Sequence, residues 1–218
     1  MKNIPRIFLD TELKPGIQIP LLREVSHYLV HVMRTKNCLV FNDGLEFSAT
    51  VSDDGKFLNI GNKTAHIDPT GDITLFFAPI KKTDDMLNMA TQLGVKQFVP
   101  VMTERTVMNH INWERMKKIV IEASEQSNRN SVPTILSPIK FEQLPFPGLV
   151  FADERAAYGA ELPTIITDAK NILVGPEGGF SDAEFKVLDK NGARGISLGK
   201  TILRAELAAP IAIARVMK

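Results

Sequence analysis

Two glycine-rich turns, each placed between a short apolar run and the start of a helix, are the parts of this sequence best suited to hold a ligand. The first, residues 175–179, reads Gly-Pro-Glu-Gly-Gly, and the second contains Leu198 and Gly199. In an open α/β sheet, ligands bind at the carboxyl ends of strands, where such turns lie. Glycine also lets the backbone adopt positive φ angles and approach a ligand closely. We therefore expect a binding site built largely from main-chain groups.

The charges around the first turn limit what that site can bind. Glu177 lies within the turn, and Asp182 and Glu184 lie in the first turn of the following helix. Ser181 and Glu184 form the pattern of a capping box, which satisfies the free N–H groups that a phosphate would otherwise use. No Gly-Lys-Ser/Thr follows, which excludes a phosphate-binding loop of the Walker type. These residues favour a neutral or cationic ligand.

The elements that carry these turns form an alternating series over residues 72–218, and strands that alternate with helices indicate a parallel α/β sheet. Strands are predicted at residues 73–79, 97–102, 148–153, 171–174 and 195–199. Helices are predicted at residues 84–93 and 112–127, where apolar side chains recur at helical spacing, and a last apolar helix is predicted at residues 206–217. The first strand is apolar without alternation, which is typical of a strand buried on both faces.

Residues 1–68 have a different pattern, with short strands joined by tight turns. Strands are predicted at residues 4–9, 38–41, 46–51 and 56–60, with Asn-Asp-Gly and Asp-Asp-Gly turns between the last three. Apolar spacing favours a helix at residues 21–34. Such a series predicts a small β-barrel. Residues 68–72 are the best linker, which gives domains at 1–68 and 72–218.

Composition excludes several classes of protein. Hydrophobic residues make up 44% of the 218 residues, charged residues 23%, and the formal net charge is +1. Any nucleic-acid surface must therefore be a local patch. The sequence has one cysteine, and no apolar run has the length of a signal peptide or a membrane span, so we expect a cytoplasmic protein with no membrane contact. His27 and His31 have metal-ligand spacing but no third ligand, so no metal is expected.

Residues 174–184 read Val-Gly-Pro-Glu-Gly-Gly-Phe-Ser-Asp-x-Glu, and residues 198–206 read Leu-Gly-x-x-Ile-Leu-Arg-x-Glu. These stretches closely resemble the SPOUT class of S-adenosylmethionine-dependent RNA methyltransferases. They look most like the family that methylates N3 of uridine 1498 in 16S ribosomal RNA. Shorter matches at residues 5–8, 91–95, 103–106 and 125–133 extend the resemblance over nearly the whole chain.

The resemblance implies a SPOUT-type parallel sheet with a C-terminal trefoil knot, preceded by a PUA-like β-barrel that binds RNA. It implies a homodimer that acts on 16S rRNA or the 30S ribosomal subunit, with S-adenosyl-L-methionine as its cofactor. The implied cofactor-binding residues are Phe151, Ala152, Asp153, Val174, Gly175, Pro176, Glu177, Gly178, Gly179, Ser197, Leu198, Gly199, Ile202 and Leu203.

Uridine N3 carries a weakly acidic proton, so a catalyst must stabilise the anion or supply a base. The resemblance makes Arg204 the first candidate to bind and polarise the target, with Glu206 as the second catalytic candidate. Both residues also have a purely structural interpretation, as an ion pair or as a carboxylate at a helix N-terminus. The predicted RNA contacts are Arg6, Arg34, Arg105 and Arg129. Arg105 and Arg129 have the alternative of pairing with Glu104 and Glu125.

Three positions depart from the family pattern. Met89 and Gln92 stand where lysine and glutamate are usual, and Leu207 stands where threonine is usual. A lost lysine could weaken RNA binding, and a lost hydroxyl could alter the pocket. These departures leave open a non-catalytic module for RNA binding or ribosome assembly. The turn motifs alone also do not separate the family's activity from the same fold acting on a transfer RNA or on a ribose 2′-hydroxyl.

Overall fold

The computed structural model describes residues 4–107 and 111–217. The chain divides into two compact units. The first contains the residues up to Thr70 together with Ile121–Val132, and the second contains Gly71–Val120 and Pro133–Lys218. The chain therefore crosses between the units three times, after Thr70, Val120 and Val132, whereas the division predicted from sequence has a single crossing. Local patterns mark a linker, but they do not reveal that a later segment packs with an earlier domain.

The first unit is built on a five-stranded sheet of order β1-β3-β4-β5-β2. Its strands are β1 (Arg6–Phe8), β2 (Gln18–Pro20), β3 (Asn37–Asn42), β4 (Leu45–Val51) and β5 (Phe57–Lys63). The pair β1–β3 is parallel, and the other pairs are antiparallel. Asp43 and Gly44 both have positive φ, as a tight hairpin turn between β3 and β4 requires.

The core of this unit consists of strand side chains together with Leu13 and Leu29, of which Leu29 is fully buried. Leu29 lies in a π-helical turn, Tyr28–Val32, that directly follows the short helix α1 (Arg23–His27). The helix predicted at residues 21–34 is therefore wrong in length and partly in type. Its periodicity reflected the few apolar side chains that pack against the sheet, and the change of hydrogen-bonding pattern within it is set by that packing.

The second unit is built on a seven-stranded sheet in which every pair is parallel. Its main path has the order β12-β10-β11-β6-β7-β8, and β9 pairs with β7. The strands are β6 (Thr74–Phe77), β7 (Gln97–Met102), β8 (Thr134–Ile135), β9 (Ile139–Lys140), β10 (Leu149–Ala152), β11 (Asn171–Val174) and β12 (Arg194–Ile196). The α/β fold with a parallel sheet is thus confirmed.

The helices are α2 (Thr83–Gln92), α3 (Trp113–Gln126), α4 (Asp182–Lys190) and α5 (Ala205–Val216). All lie within a few residues of their predicted positions. Helices α2, α3 and α4 have an apolar face at helical spacing, and α5 is apolar over most of its length. The strands β2, β8 and β9 were not predicted. Each is only two or three residues long, too short for a period to be detected.

The centre of the second sheet is fully buried, as expected for parallel strands covered on both faces. Leu149, Val150 and Phe151 of β10 have no exposed surface. The rings of Phe180 and Phe185 pack edge-on or tilted against Phe151, with ring centroids 6.1 and 6.2 Å away. This packing links the sheet to α4 and fixes the turn between β11 and α4. Within the described residues, no helix combines the length and apolarity needed to cross a membrane.

Candidate functional site

A cavity of about 910 Å³ opens in the second unit, where the segments that follow β6, β10, β11 and β12 meet. Such a position, at the carboxyl ends of parallel strands, is where open α/β sheets bind ligands. The walls comprise both glycine-rich turns, the segment after β10, and the start of α5. The sheet topology therefore joins stretches that are far apart in the sequence.

Nearly all the predicted cofactor-binding residues line this cavity. Those in its wall are Ala152, Asp153, Val174, Gly175, Pro176, Glu177, Gly178, Gly179, Leu198, Gly199, Ile202 and Leu203. Phe151 and Ser197 are the exceptions. Phe151 is fully buried in the core, and Ser197 is buried with its Oγ accepting a hydrogen bond from the Gly199 N–H at 3.3 Å. Both lie behind the wall and support it.

The first glycine turn is closed by a hydrogen bond from the Gly179 N–H to the Pro176 carbonyl, at 2.9 Å. Gly179 has a φ of +68°, and a β-carbon there would collide with the carboxylate of Glu154. At Gly175, a β-carbon would press on the Phe180 ring at 3.0 Å. By contrast, Gly178 does not have a positive φ, and a β-carbon there would make only ordinary contact with Arg105. Two of the three glycines are therefore required by the shape of the turn itself.

Glu154 holds this turn from the β10 side through its side chain. Its Oε1 accepts a hydrogen bond from the Phe180 N–H at 3.1 Å, and it lines the cavity. Burial raises the pKa of Glu154. A carboxylate two residues after a strand carries no distinctive signal, so only the pairing of β10 with β11 places it beside the turn.

Asp153 and Arg155 flank Glu154 in the sequence, and their side chains form an ion pair. The Arg155 guanidinium donates to Asp153 at 2.7 Å and to Asp189 of α4 at 2.8 Å, and it lies 4.3 Å above the centre of the Phe185 ring. Hydrogen bonds to these carboxylates raise the pKa of Arg155, and the one from Arg155 lowers the pKa of Asp189. The Asp153 carboxylate is thus engaged with Arg155 even though the residue lines the cavity.

The helix after the first turn begins with the predicted capping box. The Ser181 Oγ accepts from the Glu184 N–H at 3.3 Å, and the Glu184 Oε2 accepts from the Ser181 N–H at 2.9 Å. The second oxygen of this buried carboxylate accepts from the Glu104 N–H at 2.9 Å. Glu184 therefore holds the loop after β7 against the glycine turn.

Arg105 follows directly on that loop and lines the cavity. Its Nη1 donates to the Gly178 carbonyl at 2.9 Å and to the Phe180 carbonyl at 3.3 Å. The guanidinium thus contacts the glycine turn, and it does so as an exposed side chain. The contact with RNA predicted for Arg105 stays a prediction.

The two predicted catalytic residues lie at the start of α5, and both line the cavity. Arg204 is exposed, and its carbonyl accepts the N–H groups of Leu207 and Ala208. Glu206 is 8% exposed and pairs with Lys82, with 3.5 Å between Oε1 and Nζ. Lys82 was not singled out in the sequence, since one lysine after a strand is usually a solvated side chain.

The other predicted RNA contacts lie in the first unit and differ in accessibility. The side chain of Arg6 is 8% exposed and pairs with Glu46 at 2.9 Å, while its Nη2 donates to Asn130 at 2.7 Å. Arg129 is 1% exposed, and burial lowers its pKa to about 10. Direct contact of Arg6 with RNA would require this buried network to open. Arg34 is exposed, with a φ of +51°.

The positions that depart from the family pattern lie outside the cavity wall. Leu207 is 46% exposed, and the Gln92 amide donates to Asn88 at 2.6 Å on the surface of α2. None of the three departures therefore contributes a side chain to the cavity wall. Across the described ranges, no group of three or more histidine, cysteine, aspartate or glutamate side chains is arranged to hold a metal ion.

Comparisons with known proteins agree on one family. The model of the RNA methyltransferase domain matches residues 67–217. The ribosomal RNA small subunit methyltransferase E of Rickettsia conorii is 36% identical, and the match covers 97% of this chain and 94% of that protein. The crystal structure of the Neisseria gonorrhoeae protein of the same name, bound to S-adenosyl methionine, superposes with a TM-score of 0.81 at 29% identity, covering 97% of this chain and 96% of that one.

A methyltransferase structure from Legionella pneumophila, with a TM-score of 0.76 at 24% identity over 97% of this chain and 96% of that chain, supports the fold alone. The domain model and the relative from Rickettsia conorii together cover the chain that carries this cavity. The protein belongs to the RNA methyltransferase family and, within it, to the ribosomal RNA small subunit methyltransferase E proteins.

Proposed function

We propose that this protein methylates N3 of a uridine in 16S ribosomal RNA of the small subunit, with S-adenosylmethionine as the methyl donor. The observation that carries the proposal is the cavity where two glycine turns meet Arg204 and Glu206. A related protein with 29% identity over nearly its full length was crystallised with this cofactor. The uridine N3 specificity rests on the resemblance of the two glycine-turn motifs.

The cavity fits the cofactor in size and in chemistry. A volume of about 910 Å³ lies within the range of sites for molecules of this kind. Acidic and basic side chains line it in equal number; the acidic Glu177 and Asp182 belong to the first glycine turn and the helix start after it, where they favour a cationic group of the ligand such as its sulfonium or ammonium. The closed turn at residues 175–179 and the apolar side chains of Ile202 and Leu203 would hold the ligand between main-chain and hydrophobic contacts.

When bound, S-adenosylmethionine supplies a methyl group whose bond to sulfur breaks with the electron pair left on sulfur. The residues of this chain contribute position and charge. Arg204 is exposed in the cavity wall and can bind a carbonyl oxygen of the target base. A preorganised cation at that oxygen stabilises the negative charge that N3 develops when it loses its proton. Fixed placement of the reacting groups supplies much of the remaining acceleration.

We extend the proposal to the whole chain. The second unit forms a SPOUT-type domain with a C-terminal trefoil knot, and the first forms a PUA-like barrel that binds RNA; its five-stranded sheet is compatible with such a barrel. Arg34 and Arg105 are the exposed candidates for RNA contact. Arg6 and Arg129 support the first unit from inside. The protein works as a homodimer in the cytoplasm, where a single buried cysteine, Cys38, stays reduced.

Two measurements test this function. Calorimetry on the purified protein is expected to show S-adenosylmethionine binding, and a transfer assay with labelled cofactor on 30S particles is expected to label 16S rRNA at a uridine N3. Label in transfer RNA, or at a ribose hydroxyl, would assign the fold to another RNA target. Cofactor binding without transfer to any RNA would support the non-catalytic alternative.

A further inference from the structure

Lys82 lines the cavity but has no role in the mechanism proposed above. It follows β6 and occupies the residue before α2, while Glu206 lies in the first turn of α5. Helices α2 and α5 pack against each other, which brings the two residues together. The side chain of Lys82 is 50% exposed and that of Glu206 is 11% exposed, with 3.5 Å between Nζ and Oε1. The buried carboxylate therefore holds an ammonium group that remains open to the cavity.

This arrangement leaves Lys82 free to bind a further acceptor. An ammonium has three donors, and the ion pair with Glu206 engages only part of this capacity. The Lys82 side chain makes no capping hydrogen bond to α2. As a half-exposed ion pair it contributes little to stability, about 1 kcal/mol or less. A role in folding is thus a weak reason for a lysine at this point, whereas its place in the cavity wall suits a role in binding.

The edge of uracil that must react has a matching pattern. N3 lies between two carbonyl oxygens, O2 and O4, and loss of the N3 proton spreads negative charge over all three atoms. Lys82 and Arg204 are two of the cations that line the cavity. A cation at each carbonyl would leave N3 itself open to the methyl donor. The other charged side chains of the cavity, besides the paired Asp153 and Arg155, are Lys81, Arg105, Glu154, Glu177, Asp182 and Glu206.

We propose that Lys82 is a catalytic residue whose ammonium binds one carbonyl of the target uracil and stabilises its N3 anion, and that Glu206 is the residue that positions it. The inference rests on the proposed uridine N3 methylation. The N3 proton passes to hydroxide or water from the solvent, and the N3 lone pair then forms the bond to the methyl carbon. Lys82 and Glu206 exchange no proton in this step.

The test compares Lys82→Met with Lys82→Arg and with a matched control, Lys186→Met, on the exposed surface of α4. Single-turnover methyl transfer at neutral pH is expected to fall roughly 10²-fold in Lys82→Met, the usual loss when one preorganised donor is removed. Lys82→Arg, which keeps the charge, should recover most of the rate. The affinity for S-adenosylmethionine, measured by calorimetry, should stay unchanged in all three variants.

A pH profile separates this role from a merely structural one. The rate should rise with pH until the bound uridine is deprotonated, and without the Lys82 cation that rise should move to higher pH. RNA with 5-fluorouridine at the target, whose N3 proton is more acidic, should restore much of the rate of Lys82→Met. A uniform loss at all pH values with no gain from 5-fluorouridine would overturn the proposal, and so would a full rate in Lys82→Met.

The wild-type protein distinguishes a failure of this inference from a failure of the proposed function. If wild type binds cofactor and methylates the uridine but Lys82→Met behaves like Lys186→Met, only the assignment of Lys82 is wrong. If wild type leaves uridine N3 unmodified in every RNA, the proposed function is wrong and Lys82 loses its assigned role with it.

Discussion

At the scale of single residues, the cavity depends on contacts that a side-chain change of a few atoms can break. Gly179 leaves no room for a side chain, because it combines positive φ with a carboxylate, that of Glu154, where its β-carbon would lie. The carboxylate in turn accepts the Phe180 N–H and so defines one wall of the first turn. Substitutions of Gly179 and Glu154 therefore test separately the shape of the first glycine turn and the effect of the buried carboxylate.

Gly179→Ala is expected to weaken S-adenosylmethionine binding by at least about 10-fold, or about 1.4 kcal/mol, since the added β-carbon would collide with the Glu154 carboxylate and displace the turn that lines the cavity. Gly192→Ala is the matched control. It has a similar φ of +82° but open space around it, so it carries the strain without the clash. Calorimetry should show normal cofactor affinity in Gly192→Ala; equal losses in both variants would contradict this account.

Glu154→Gln tests the cost of burying that charge. The pKa of Glu154 is raised in the folded state, so the folded protein holds this proton more tightly than the unfolded chain. Wild-type stability should therefore decline relative to Glu154→Gln as pH rises from the unfolded pKa of about 4.3 through the raised folded value. Urea unfolding of both proteins between mildly acidic and neutral pH measures the difference. A difference that does not vary with pH would show that burial leaves this carboxylate unaffected.

At the scale of elements, Glu184 connects two pieces of the cavity wall. Its carboxylate caps α4 and also accepts the N–H of Glu104, next to Arg105. Glu184→Ala should lower the free energy of unfolding by about 2–3 kcal/mol, since a cap and a buried hydrogen bond are lost together. Asp182→Ala, an exposed change in the same helical turn, is the control and should cost under about 1 kcal/mol.

Urea denaturation measures both losses. Cofactor affinity gives a second readout for Glu184→Ala, because the loop that carries Arg105 loses its anchor to the glycine turn. If Glu184→Ala were no less stable than Asp182→Ala, the capping box would contribute nothing to this unit.

At the scale of the whole molecule, every residue that lines the cavity belongs to the second unit. The first unit is held together partly by the buried pair of Arg6 and Glu46, and the Glu46 carboxylate also accepts the Thr64 hydroxyl at 2.7 Å. Arg6→Met would leave that carboxylate buried without its cation.

Arg6→Met should lower the stability of the first unit by about 3–5 kcal/mol, while S-adenosylmethionine affinity stays near that of wild type. Arg23→Met, at an exposed position of the same unit, should change neither quantity. Chemical denaturation and calorimetry test both statements. If Arg6→Met kept full stability but bound RNA more weakly, with a smaller dependence on salt, Arg6 would be a phosphate contact after all.

Local sequence was sufficient for the features that are encoded locally. The capping box of Ser181 and Glu184, the strand at Asn171–Val174 and the glycine turn after it all depend on neighbours within a few residues, so patterns of residue type reveal them. Nearly all the cofactor-binding residues implied by the resemblance line the cavity, because the two turn motifs lie in the turns themselves.

The tertiary structure decided what comes together from distant parts of the chain. Lys82, Glu154 and Arg105 follow three different strands, and only the strand order of the parallel sheet brings them to the two glycine turns. Tertiary structure also decided burial. Arg6 was predicted to contact RNA, but its side chain is enclosed by Glu46 and Asn130. The residue type determines whether a side chain is charged. The ion-pair partner of that side chain and its access to solvent depend on long-range packing, which no local pattern contains.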